Sequence, residues 1–170
     1  MSKAPPYWIA AKNYLSKKDD ILKSLIKKYK DNHLRTRKDV FYSLCKSIVG
    51  QQISVAAADS VFKKFENACK KKINPKVVSK LKVSQLKKCG LSRQKIRGIL
   101  EMSQRFKDKT FNPRLISKMS DEEAIEYLST LRQIGRWSAE MILLFTYNRS
   151  NIWPVQDLSL IHISEPTRRS

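Results

Sequence analysis

The chain is predicted to be all-α. Apolar residues recur at spacings of three and four along most of it, β-branched residues show little strict alternation, and only four glycines interrupt 170 residues. That length suits one domain around a single core.

The elements follow in order. Pro5-Pro6 opens a short N-terminal helix, and Asp19-Asp20 lead into a second with Ile21, Leu22, Leu25 and Ile26 along one side. Val40, Phe41, Leu44, Cys45, Ile48 and Val49 form a strong amphipathic stripe that stops at Gly50-Gln51-Gln52. Ser54 is suited to cap a helix that carries Val55, Ala58, Phe62, Phe65 and Cys69 inward. Short turns or helices are expected at Asn74-Pro75 and across Val83 to Gly90. Gly90-Leu91-Ser92 then introduces a helix with Ile96, Ile99, Leu100 and Phe106 inside, ending before Pro113. Ser120 and Glu123 form a capping box for the next helix, whose inner positions are Ala124, Ile125, Leu128 and Leu131. The segment Trp137 to Phe145 is apolar nearly all round, which places it in the middle of the fold.

An apolar content of 41% supports a folded protein, and 35 Lys and Arg against 15 Asp and Glu leave a formal charge of +20. So large an excess on so small a domain points to a polyanionic partner, nucleic acid first. The lysines are spread from Lys17-Lys18 to Lys87-Lys88 rather than gathered in a tail, so most are read as solvated helix faces. Cys45, Cys69 and Cys89 are odd in number, widely spaced and without metal-ligand spacing, which reads as buried reduced thiols. No apolar run reaches membrane-spanning length, and Met1 to Tyr14 lacks the layout of a signal peptide. An intracellular, reducing compartment is the expectation.

The run Leu131-Arg132-Gln133-Ile134-Gly135-Arg136, followed by Trp137-Ser138-Ala139, carries the chemistry. Gly135 is expected to supply a backbone conformation that other residues resist, at a helix start whose N–H groups and dipole favour an anion. Such an element grips a phosphate without reading sequence. The alternative is an ordinary helix–helix turn with Gly135 as a C-cap residue. Asp157 stands alone twenty residues beyond Trp137, where a cap or a salt bridge is the competing explanation.

The hairpin, Trp153-Pro154-Val155-Gln156-Asp157, Ile48-Val49-Gly50-Gln51-Gln52-Ile53-Ser54, and Gly90-Leu91-Ser92 with Lys95 occur together and in this order. Over roughly residues 7–158 they resemble the helix-hairpin-helix (HhH-GPD) superfamily of base-excision DNA glycosylases, and within it the DNA-3-methyladenine glycosylase II branch. The resemblance implies an all-α helix-hairpin-helix glycosylase fold and a partner in double-stranded DNA containing damaged bases. Its implied activity is excision of an alkylated purine, such as 3-methyladenine, after flipping it out of the duplex. Bifunctional members carry a lysine nucleophile where Trp137 stands, so water is expected to do the hydrolysis here and Trp137 to line a base pocket with Met141. Asp157 would be the catalytic carboxylate, since an anion beside an oxocarbenium-like sugar lowers the barrier.

The same resemblance places Gln133, Ile134, Gly135, Arg136 and Ser138 on the DNA at the hairpin, and Lys95 on a phosphate. It also puts Gln51 or Gln52 in the gap left by the flipped nucleotide, without saying which. No cofactor or metal is expected, apart from a monovalent cation that the hairpin could hold. A monomer is the default, in the cytoplasm with the nucleoid of a bacterium or in a eukaryotic nucleus. Two departures stand out. Gln133 occupies the place of the family's first hairpin glycine, which bears on how closely the turn approaches a phosphate. In place of pocket aromatics, the central helix offers Met141 and Leu144.

Leu158 to Arg168 reads as the translation of a transposase-type sequencing adaptor over eleven consecutive codons. Residues 159–170 are therefore expected to be an artefact, and residues 1–158 to be a glycosylase domain that lacks its C-terminal helices. The natural protein is expected to be longer, and these 170 residues alone to expose the central helix and to be poorly stable or inactive. An endonuclease III-like or adenine glycosylase with iron–sulfur cysteines further along is an alternative, which Trp137 disfavours in its lyase form. A non-enzymatic helix-hairpin-helix DNA-binding module is another, and Asp157 speaks against it.

Overall fold

The computed structural model describes residues 4–34 and 39–157, so the adaptor-like segment lies outside the described residues. The described residues form nine α-helices and one 3-10 turn, with no strand. Helix α3 (Val40–Gly50) is the centre of the arrangement and packs on α4 (Val55–Ala68), α7 (Arg93–Lys107) and α9 (Arg136–Phe145). Its stripe is realised: Phe41, Leu44, Cys45, Ile48 and Val49 are at most 3% exposed. At about 1.5–3 kcal/mol for each fully buried large aliphatic or aromatic side chain, this helix is the strongest single contributor to the core.

Short α5 (Pro75–Val78) and α6 (Val83–Lys88) lean on α7, and α8 (Asp121–Ser129) pairs with α9. An aromatic chain joins the layers, running from Phe41 to Phe106 (5.1 Å between centroids), to Phe111 (5.0 Å) and to Tyr127 (4.6 Å, stacked). The helix starts are those the sequence signals. Ser54 accepts from the Ala57 amide, Ser92 from the Lys95 amide, and Ser120 and Glu123 cap each other reciprocally. Cys45, Cys69 and Cys89 are buried free thiols, and burial pushes Cys69 up to about 11.

Three expectations change. The stripe of α2 (Asp20–Lys28) forms, but Ile21 and Leu25 are largely exposed because α2 packs on α1 (Trp8–Lys18) and neither helix has a buried residue. Val55 lies in the first turn of α4 and is 80% exposed rather than inward. Helix α9 is not surrounded by core. It buries Ala139, Ile142 and Leu143, together with polar Ser138 and Glu140, while Trp137 and Phe145 stay open on the other face. No helix among the described residues is long and apolar enough to cross a membrane.

Gly98, inside α7, is what lets the turn before α9 sit down on that helix. A Cβ there would lie 2.8 Å from Cγ of Gln133 and 3.2 Å from the Arg132 carbonyl oxygen. Alanine gains about 0.8–1.0 kcal/mol of helix propensity, but overpacking a closed contact costs about 1–3 kcal/mol. The overlap wins. Gly98→Ala is expected to lower Tm by about 2–4 °C, as roughly 1 kcal/mol does for a chain of this size, and an unchanged Tm by calorimetry would contradict the close seating of the turn.

Candidate active site

The α8–α9 turn ends in Gly135, the N-cap of α9, whose side receives no side-chain cap bond. Helices α2, α3, α4, α7 and α8 all begin with a capping Asp or Ser. Helix α9 thus presents its first N–H groups without a capping side chain, which is the geometry that takes an anion. The backbone conformation expected of Gly135 is found elsewhere. Gly135 is extended (φ −89°, ψ 178°), a conformation open to any residue, whereas Gln133 sits at φ +68°. A Cβ on Gly135 would meet nothing within 4 Å, so what glycine supplies here is clear space in front of the helix start.

A cavity of about 760 Å³ opens between the end of α3, the start of α7 and the open face of α9. Trp137, Met141 and Phe145, four residues apart in sequence, make an apolar wall, and Ser43, Ser47 and Ser138 are among the other residues that line the cavity. Among the described residues, no Asp or Glu lines it. Phe145 is the aromatic that sequence reasoning missed: reading α9 as apolar all round concealed that the 137, 141, 145 row lies on one face.

Asp157, half-buried, stands beside this cavity and is linked to it through Trp137, whose indole Nε1–H donates to Oδ2 at 3.0 Å. Its backbone amide donates to the Pro154 carbonyl at 2.9 Å, which closes the turn that carries it. The two residues set twenty apart in sequence are therefore in direct contact. Trp137 touches both the cavity and the carboxylate.

The other expected site residues divide. Gln52 is exposed at φ +56° at the tip of the turn after α3, while the Gln51 amide points inward and donates to the Gln133 carbonyl at 2.6 Å and to Ser138 Oγ at 3.3 Å. Ile134 is a core residue: its side chain is 3% exposed and its amide donates to Leu131. Ser138 is 5% exposed. Lys95 lines the cavity, but its ammonium donates to the Val49 and Gln51 carbonyls at 2.8 and 2.7 Å, and burial lowers its pKa. Arg136 is spanned by two carboxylates, bidentate to Glu122 at 2.5 and 2.8 Å and through Nε to Glu140 at 3.2 Å. Glu140 is buried and pairs with Arg136 one turn earlier on α9, while the Arg136–Glu122 pair ties α9 to α8.

An uncapped helix start, an exposed residue on a neighbouring turn, and a cavity with a carboxylate at its side thus lie together on one face of a helical fold. The family follows from the sequence match. The chain belongs to the HhH-GPD superfamily of base excision DNA repair proteins, matched over residues 45–169. It is 32% identical to the alkylbase DNA glycosidase-like protein mag2 of Schizosaccharomyces pombe, over 94% of this chain and 78% of the relative. To DNA-3-methyladenine glycosylase 1 of the same yeast it is 28% identical, over 88% of this chain and 68% of the relative. The crystal structure of a DNA-3-methyladenine glycosidase from Bacillus halodurans superposes with a TM-score of 0.71 at 27% identity, covering 76% of this chain and 60% of that one.

The Arg136 cluster has a pH signature. The hydrogen bond from Arg136 holds the Glu122 carboxyl below its ordinary value of 4.5. A carboxyl whose folded pKa is lowered stabilises the fold above its unfolded pKa and loses that contribution as pH falls through the folded value. Glu122→Gln is expected to lower Tm slightly at neutral pH and to converge on the native protein in acid. A gap independent of pH in a series of thermal melts would contradict the pairing.

Proposed function

We propose that the protein is a monofunctional DNA glycosylase that rotates an alkylated purine out of double-stranded DNA and hydrolyses its N-glycosidic bond with water. The observation that carries this reading is the Trp137–Asp157 contact beside the cavity. In the resemblance drawn from the sequence, a lyase has a lysine at the position of Trp137, and an indole has no nucleophilic amine to offer. The names of the related proteins support the substrate class: both a yeast and a bacterial relative are called DNA-3-methyladenine glycosylases.

Each part then has a task. The backbone at Gly135 and the start of α9 hold a phosphate, and the excess of cationic side chains adds a sequence-independent, salt-sensitive attraction. Gln52, exposed and at the tip of its turn, fills the gap left by the extruded nucleotide. The base enters the cavity against Trp137, Met141 and Phe145, where aromatic faces favour an electron-poor, cationic ring. As the bond from C1′ to the base nitrogen breaks, its electron pair goes to the alkylated base, which departs neutral. Asp157 stabilises the positive charge left on the sugar, and the water that attacks C1′ delivers its proton to that carboxylate. The protein acts as a monomer on its duplex. A monovalent cation at the hairpin, where present, is held by backbone carbonyls, since no group of three or more His, Cys, Asp or Glu suited to a metal occurs among the described residues.

Asp157→Asn is expected to slow release of methylated purine from alkylated DNA by about 100-fold or more, the scale of losing one preorganised electrostatic group, while duplex binding persists. Borohydride is expected to trap no covalent enzyme–DNA adduct. Chromatography of the released base and gel analysis of the trapped reaction check both. An Asp157→Asn protein as active as the native one, or a trapped adduct, would overturn the assignment.

A further inference from the structure

Two of the residues first grouped with the DNA contacts are occupied elsewhere, and they are occupied with each other's neighbourhood. The side chain of Gln51 reaches across 82 residues of sequence to the Gln133 carbonyl and across 87 to Ser138. The backbone carbonyl of the same residue accepts the Lys95 ammonium, which also holds the carbonyl of Val49 at the end of α3. Three elements meet at one residue: the turn after α3, the first turns of α7, and the hairpin before α9.

We propose that Gln51 and Lys95 are positioning residues, a latch that fixes the gap-filling turn to the phosphate-gripping hairpin before DNA arrives, and that neither contacts DNA. The proposal rests on the glycosylase reading above. Its physical basis is that the latch lies between two strained positions. Gln52 (φ +56°) directly follows Gln51, and Gln133 (φ +68°) offers the carbonyl that Gln51 holds. Both are in the left-handed region that L side chains resist, so the surrounding bonds must hold them there. Lys95 adds a cation at the carbonyl end of α3, where the helix dipole favours it. Its hydrogen bonds are used inside the protein, at a site burial has partly desolvated.

The consequence is a fixed spacing. A helix start that holds the backbone and a side chain that enters the stack act as one body, and extrusion of the base requires both at once. Loosening the latch leaves each element able to touch DNA but unable to hold the duplex open. Undamaged duplex is therefore bound nearly as before, and the extruded state is lost.

The test uses the protein, a duplex with 2-aminopurine beside the damaged base to report extrusion, and single-turnover base release. Gln51→Ala is expected to keep affinity for undamaged duplex within about threefold while cutting the fluorescence change and the release rate about tenfold, well within what a misplacement of one ångström costs. Adding Gln133→Gly, which removes the strain on the hairpin side, is expected to recover part of that loss. Lys95→Met is expected to behave as Gln51→Ala and to leave the slope of log affinity against log salt unchanged, whereas loss of a phosphate contact would reduce it by about 0.9. That reduced slope, normal extrusion in Gln51→Ala, or no recovery on adding Gln133→Gly would each overturn the latch. If a single variant fails to fold, the comparison is made in the Gln133→Gly background. A native protein that opens the duplex and whose variants show the affinity and fluorescence effects, but that releases no base, would remove the glycosylase reading and leave the latch standing.

Discussion

The seating of one turn governs the site. Residues 130–135 carry α8 into α9, and they are pressed against α7 by the missing Cβ of Gly98 and drawn toward α3 by Gln51. Everything functional on α9 takes its position from that turn: the helix start at Gly135, the cavity row Trp137, Met141 and Phe145, and, through the Trp137 indole, Asp157. A close approach of backbone to helix is the interaction on which the rest depends, and interiors packed to this density transmit small displacements rather than absorbing them.

Electrostatics then sorts the surface. The chain carries a large cationic excess, yet the charged groups nearest the hairpin are paired inwardly, Arg136 with Glu122 and Glu140, and Arg132 with Glu101. The exposed pairs contribute little to stability by themselves. Their effect is to leave the uncapped amides of α9 as the local anion-binding feature, with the scattered lysines supplying a diffuse field around it.

Much of this was legible in the sequence, and the reasons for success and failure are physical. Capping residues and amphipathic stripes act locally, so Ser54, Ser92, Ser120 and the α3 stripe could be read directly. Asp157 and Trp137 were legible as a spaced pair, although their hydrogen bond was not. Burial depends on partners: the α2 stripe forms a helix, but periodicity cannot say that α1 is the helix it packs on. The reading of Gly135 went astray because a glycine signals either a positive φ or a close approach, and here the positive φ falls on Gln133 while Gly98 provides the approach. Long-range hydrogen bonds such as those from Gln51 to Gln133 and from Lys95 to Gln51 leave no periodic trace, and so these internal partners were not legible in the sequence. Phe145 was hidden by treating α9 as uniformly buried.

The central claim is that the turn after α3 and the hairpin before α9 meet the same DNA as one preset unit. A crystal structure of the protein on a duplex with an abasic-site analogue tests it most directly. The account predicts a phosphate against the amides that follow Gly135, the Gln52 side chain in the gap, and the Gln51–Gln133 hydrogen bond intact. Gln51 swung out into the gap, with that bond broken and the hairpin displaced from α7, would contradict it.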